Sequence, residues 1–388
     1  MKGKLAFALT IIVFLFLFPS GLTFAEGNIQ DDLEEEVSES IDQMQLDEFE
    51  SFVQGLNSGY FGGETLKDFL KKLTKGELSL SAEDVIKESL TLVFGGVVGA
   101  LPFFLSIILI AVLFSLVFGM TQNFLNKQTV EIVYFVCFAA VISIIVTMIV
   151  KVIGDVKNAV ESLTNLVNTL FPSLITLMTA LGGAQTSALF KPQIALMCTL
   201  VINVVNAVVI PLFIASVVLC ISGNLSSNVK LDKLQSTVRY VAKCVLSVTF
   251  GGFITYLTIS GLVGAMSDSV SAKAAKYLVS SYVPILGGYL TQGFDLISAS
   301  LSLIKNALGV SGILVVLTII LTPVFKLVAL TVGLKLTAGI IEPIVDKRMS
   351  SFVNGVAECV RQLVGAMMGV GFVFIVSIAL VIMTLNLL

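Results

Sequence analysis

VGALPFFLSIILIAVLFSLVFG (98–119) runs for 22 residues without a charged side chain. As a helix it would be about 33 Å long, enough to cross a hydrocarbon core of about 30 Å. Five further runs of similar character lie at 130–150, 194–222, 244–266, 310–333 and 364–386, six in all. Of the 388 residues, 56% are hydrophobic and 13% charged, against roughly 45–50% and about 25% in soluble domains. The mean hydropathy of +1.00 is too high for one core to absorb the excess. The chain is therefore expected to be an all-α polytopic integral membrane protein with about six transmembrane helices.

Upstream of the first run the character changes twice. Lys2 and Lys4 precede LAFALTIIVFLFLF (5–18), and Pro19 and Gly21 then break the apolar run before Thr23-Phe24-Ala25. A positive start, a 14-residue apolar run and small residues before a cut describe a signal peptide over 1–25, with Ala25 as the cleavage candidate. An uncleaved anchor is the alternative, and both put residue 26 outside the cytoplasm. Residues 26–88 carry 17 acids against five lysines. Within 26–89, Leu33, Val37, Ile41, Phe49 and Val53, then Leu66, Phe69, Leu70 and Leu73, recur at helical spacing. This predicts a small acidic helical ectodomain that either folds on itself or onto the membrane, or docks a partner outside. Residues 90–388 would form the membrane domain.

An outside start puts 120–129, 223–243 and 334–363 in the cytoplasm. These segments hold nine Lys and Arg in 61 residues, against six in the 86 residues of 151–193 and 267–309, as the positive-inside rule requires. The dispersed basic excess is not a nucleic-acid patch. Two outer segments, 166–183 and 278–293, are themselves apolar and centred on Pro172 and Pro284. They are expected to be re-entrant or interfacial helices broken at those prolines.

The chain also repeats. LVNTLFP (166–172) matches LVSSYVP (278–284), and at the same offset VIPLF (209–213) falls on LTPVF (321–325). Farther on, VAKCV (241–245) resembles VAECV (356–360). A weaker copy begins at LPFF (101–104) and includes Cys137. The unit is a proline-bearing helix, a basic turn and a cysteine-bearing helix, with copies at about 90–150, 151–266 and 267–386. Two spans per unit keep the basic turns on one side, the parallel arrangement.

With no His and no Trp, histidine acid–base chemistry and His-ligated metals are excluded. Cys137, Cys198, Cys220, Cys244 and Cys359 form no C-x-x-C pair. Neither a phosphate-binding loop nor a nucleophile elbow is present, so neither an enzyme nor a cofactor is expected. Pro102, Pro211 and Pro323 are candidate kinks or hinges, or simply shape the packing. Asn203 and Asn206 share a helix face, and Lys326 lies in an apolar run. These three are candidates for a polar path, with interhelical hydrogen bonding and snorkelling as the plainer readings.

YFGGETLKDFLKKLTKGE (60–77), NLVNTLFPSLITLMTALGG (165–183) and GIIEPIVDKRMSSFVNGVAECV (339–360) resemble the stage III sporulation protein AE family of endospore-forming bacteria, and the likeness extends over essentially the whole chain. The resemblance implies a multi-pass protein of the mother-cell (outer forespore) membrane, with 26–89 facing the intermembrane space. It implies a subunit of a mother-cell-to-forespore channel or secretion-like complex needed for endospore development. Its partners would be other mother-cell sporulation membrane proteins, a forespore partner across the gap and a separate ATPase, with homo-oligomers left open. A self-contained secondary transporter with a path between the repeats, and a non-conducting scaffold, are the alternatives.

Overall fold

The computed structural model describes residues 36–41, 46–56, 65–75, 82–121, 127–225, 231–282 and 287–383. Ala25 and Pro284 lie outside them. After a short helical stretch at 36–41 come α1 (Asp47–Gly55), α2 (Leu66–Thr74), α3 (Ala82–Thr121) and α4 (Lys127–Ala180). They are followed by α5 (Ala184–Val204), a π-helical turn (Val205–Val209), α6 (Ile210–Leu225), α7 (Asp232–Tyr282), α8 (Gly287–Ile341) and α9 (Lys347–Met383). Six described segments are long and apolar enough to cross a membrane, and they match the six expected runs in order.

The helices are longer than the runs. At 54 and 55 residues, α4 and α8 reach about 81 and 83 Å, well beyond a bilayer core of about 30 Å. The segment 166–183 is thus no broken helix: it forms the last turns of α4, which continues through Pro172 to Ala180. Pro172 is on the exposed side, where the carbonyl it leaves without a helical donor can face out. The chain instead turns at the glycine pair. Gly182 takes φ +87°, and the Gly183 N–H donates to the Met178 carbonyl at 2.9 Å, closing the helix. Leu166, Val167, Leu170, Phe171 and Leu174 are buried by protein, so their hydrophobicity serves packing within the bundle. The expected unit boundaries at 89/90, 150/151 and 266/267 fall inside α3, α4 and α7.

Three helix pairs, α3–α4, α6–α7 and α8–α9, carry the repeated prolines in the first arm and the repeated cysteines in the second. Their turn ends converge. Phe114 of α3 meets Tyr134 of α4 edge-on at 5.9 Å, the Tyr134 hydroxyl donates to the Asn224 carbonyl of α6 at 3.0 Å, and the Arg348 guanidinium of α9 lies 4.1 Å from the same ring. All three turns therefore lie at one end, hereafter the turn end.

The core is built around α9, which packs against α8, α6 and α7 and also touches α4. Its Phe352, Val356, Cys359, Leu363, Val370, Phe374 and Ile378 are all buried. Close approach is set by residues without side chains. A Cβ on Gly355 would overlap the Cys220 sulfur, one on Gly371 would overlap Ile320, and one on Gly333 would overlap the Phe104 ring. Those contacts also fix the register: Gly96 faces Lys326 and Ala329, Gly333 faces Phe104, and Gly312 faces Leu170. The apolar run of α3 consequently lies beside the turn-end half of α8, and the matching run of α8 lies farther from the turn end.

The two short ectodomain helices pack on the long helices of the bundle. Phe49 and Val53 of α1 are buried, with α1 against α4, and Leu66, Phe69 and Leu70 of α2 are buried, with α2 against α8. Thr65 starts α2: its hydroxyl oxygen accepts from the Asp68 N–H at 3.2 Å and donates to the Asp68 carboxylate at 2.7 Å.

Candidate functional site

With 56% apolar content, the informative residues are the polar ones held between helices. At the turn end, Asp346 sits in the short link after α8 and bonds Arg348 three ways. It accepts from the Arg348 backbone N–H at 2.9 Å, from Nε at 3.2 Å and from Nη2 at 3.0 Å. Partial burial pushes the Asp346 carboxyl up, but the Arg348 side-chain and backbone bonds and its charge outweigh that and hold it below its usual range. The guanidinium is thereby aimed at the Tyr134 ring, a cation–π contact that ties α9 to α4. Tyr134 stacks on Phe138 at 5.4 Å, and Phe138 meets Phe352 at 5.0 Å.

Farther from the turns, α8 carries two ion pairs on different sides. Lys326 reaches the Asp155 carboxylate of α4 at 3.7 Å. Lys335 bonds the Glu358 carboxylate of α9 at 2.7 Å, and Arg361 pairs with the other oxygen of that carboxylate. The helices are longer than the runs read from sequence, so Asp155 and Glu358 both lie inside membrane-length helices. Half-exposed pairs contribute little as stability elements, so their interest is where they sit.

Between α6, α7 and α9 lies a buried polar seam. Gln235 donates to the Ser216 carbonyl at 3.2 Å and to the Cys359 sulfur at 3.5 Å, and the Cys220 thiol donates to the Phe352 carbonyl at 3.6 Å. Neither the Ser216 hydroxyl nor the side-chain amide of the buried Gln362 has a partner among the described residues. At the far end of the bundle Lys305 is fully buried and donates to the Ile382 carbonyl at 2.8 Å. By sequence Lys305 counted as an outer-loop base, since nothing in hydropathy reveals that α8 starts at Gly287.

The expected polar path does not assemble. Asn203 and Asn206 are exposed on α5 and the π turn, whereas Lys326 is directed at Asp155 on α4. Pro102 and Pro323 lie inside uninterrupted helices, and the Pro102 carbonyl accepts from the Ser106 hydroxyl at 2.7 Å. Pro211 differs: the five-residue π turn ends two residues before it. A ring that supplies no N–H and crowds the carbonyl four residues back favours such a widened turn. Where α4, α5, α7 and α9 join, the gap lined by Phe171, Phe190, Ile194, Met197, Phe253 and Ser377 has no room for a water molecule. Sequence reasoning missed Lys335, Glu358 and Arg361 as a unit. Glu358 and Arg361 are readable as an i,i+3 pair, but nothing local assigns Lys335 to them.

A protein-family model described as stage III sporulation protein AE matches residues 65–384. The chain is 24% identical over 331 residues to stage III sporulation protein AE of Bacillus subtilis (strain 168), covering 84% of this chain and 83% of that one. No solved structure matches it.

Proposed function

The chain belongs to the stage III sporulation protein AE family, and from that premise we propose that it is an integral-membrane subunit of a mother-cell-to-forespore channel or secretion-like complex required for endospore development. It acts by assembly and not by catalysis. The observation that carries this reading is the continuity of α4 and α8 past bilayer length, with α1 and α2 seated on them. That makes a membrane platform with a rigid superstructure, suited to holding partners at a fixed height. Its place is the outer forespore membrane, its partners are other mother-cell sporulation membrane proteins and a forespore protein across the gap, and the energy comes from a separate ATPase.

The test is a deletion strain complemented by the full chain. Arrest of forespore development, relieved on complementation, is expected, and normal development in the deletion strain overturns the reading. Substrate-dependent flux through the purified chain alone in liposomes would instead favour a self-contained carrier.

A further inference from the structure

Lys335 of α8 and Arg361 of α9 hold the Glu358 carboxylate between them, one at each oxygen. Two bases on one acid leave a net positive charge, and each base has N–H donors that Glu358 does not use. Arg361 is 60% exposed and Lys335 41%, so those donors are open to the surroundings. Arg239 of α7 adds positive charge nearby: it lies close enough to Cys359, the residue after Glu358, to act on it electrostatically.

The same stretch of α8 carries an apolar row. Val332, Leu336 and Ile340, at four-residue spacing, are 47%, 62% and 50% exposed. Lys335 is the i+3 neighbour of Val332 and so borders the row. Gly339, also exposed, is the i+4 neighbour of Lys335, and a Cβ there would meet nothing within 4 Å, which leaves a shallow notch beside Leu336 and Ile340. Phe104 packs against Gly333, which sets Leu105 and Leu109 of α3, each 60% exposed, at the level of the row. At one level the surface therefore passes from apolar, on α3 and α8, to basic, on α9 and α7. All of these residues lie within segments long and apolar enough to cross a membrane, where a charge facing acyl chains alone is costly.

We propose that this border binds an anionic phospholipid. The head-group phosphate bridges Lys335 and Arg361, Arg239 adds its charge, and the acyl chains lie along Val332, Leu336 and Ile340 over the notch at Gly339. The two halves of the surface together select this occupant. A soluble anion would answer the bases and leave the apolar row uncovered, whereas a net-neutral lipid would cover the row and leave the excess charge unanswered. Basic pockets between membrane helices take anionic head groups for the same reason, and a guanidinium beside an ammonium suits phosphate oxygens. The inference goes beyond the sporulation reading, which assigns no ligand.

The test is titration of the purified, delipidated full chain in detergent with phosphatidylglycerol or phosphatidylcholine, bound lipid being counted by native mass spectrometry. Expected is a roughly tenfold preference for phosphatidylglycerol. It should persist in Lys191→Gln, which removes an exposed base on α5. It should vanish in Lys335→Gln/Glu358→Gln/Arg361→Gln, which leaves no charge orphaned. Leu336→Asn keeps every charge of the site and should weaken phosphatidylglycerol binding several-fold. Excess glycerol phosphate, a head group without chains, should displace nothing. No preference in the unaltered chain, a preference that survives the triple substitution, unchanged binding in Leu336→Asn, or displacement by glycerol phosphate each overturns the site. If the triple variant does not fold, Leu336→Asn decides.

Discussion

The Nζ of Lys305 in α8 lies 2.8 Å from the carbonyl oxygen of Ile382, in the last turn of α9. A helix C-terminus leaves carbonyls without intrahelical donors and carries partial negative charge. A fully buried lysine at that point satisfies one carbonyl and complements the dipole. Lys305→Ala removes the donor and leaves a void, and is expected to destabilise the fold by about 2–3 kcal/mol. Lys305→Met, which keeps the volume, should lose less. Thermal midpoints of the two variants in detergent check both the sign and the order.

Gly333→Ala places a methyl group in the Phe104 ring. A ring within a packed helix pair has little freedom to move, so the expected cost is about 1–3 kcal/mol. Adding Phe104→Leu should return part of it, because the second change supplies the space the first consumed. A double-mutant cycle reads that coupling, and additive losses would mean that α3 and α8 do not meet there.

Pro211→Ala supplies the missing N–H and allows a regular helix in place of the π turn. Stability should rise by up to about 3 kcal/mol. If forespore development falls while the protein accumulates normally, the widened turn is used in function. If development is unchanged, the proline only shapes packing.

The Asp346 carboxyl is held below its ordinary value of 3.8 by Arg348. A depressed carboxylate stabilises the fold fully above its unfolded pKa, and that contribution is lost as pH falls from there through the folded value. Acidification below about pH 4 should therefore weaken the turn end selectively, with an Asp346→Asn variant showing a smaller acid-dependent loss. Thermal midpoints measured from pH 7 down to pH 3 decide it.

The membrane class, the six apolar runs and the paired positions of Pro211 with Pro323 and of Cys244 with Cys359 were legible because each depends on local composition or on spacing. The relative height of the runs was not. Hydropathy gives equal weight to Leu105, which faces outward, and to Leu170, which packs against Gly312. That equality made 166–183 look like a membrane segment and α8 look as though it began near 310. Lys305 was misread for the same reason, since burial of a lysine depends on a helix end 77 residues away. The Lys335–Glu358 bond likewise joins two helices whose register only packing determines.

The uninterrupted length of α4 and α8 has a mechanical consequence. A helix of some fifteen turns behaves as a stiff strut, and here two of them are clasped by α9 and share a glycine-tight seam at Leu170 and Gly312. Tilt imposed at the turn end must emerge at the opposite end, magnified by the lever arm. Whatever grips that opposite end is therefore geared to the turns through two helices that run unbroken past Pro172 and Pro323.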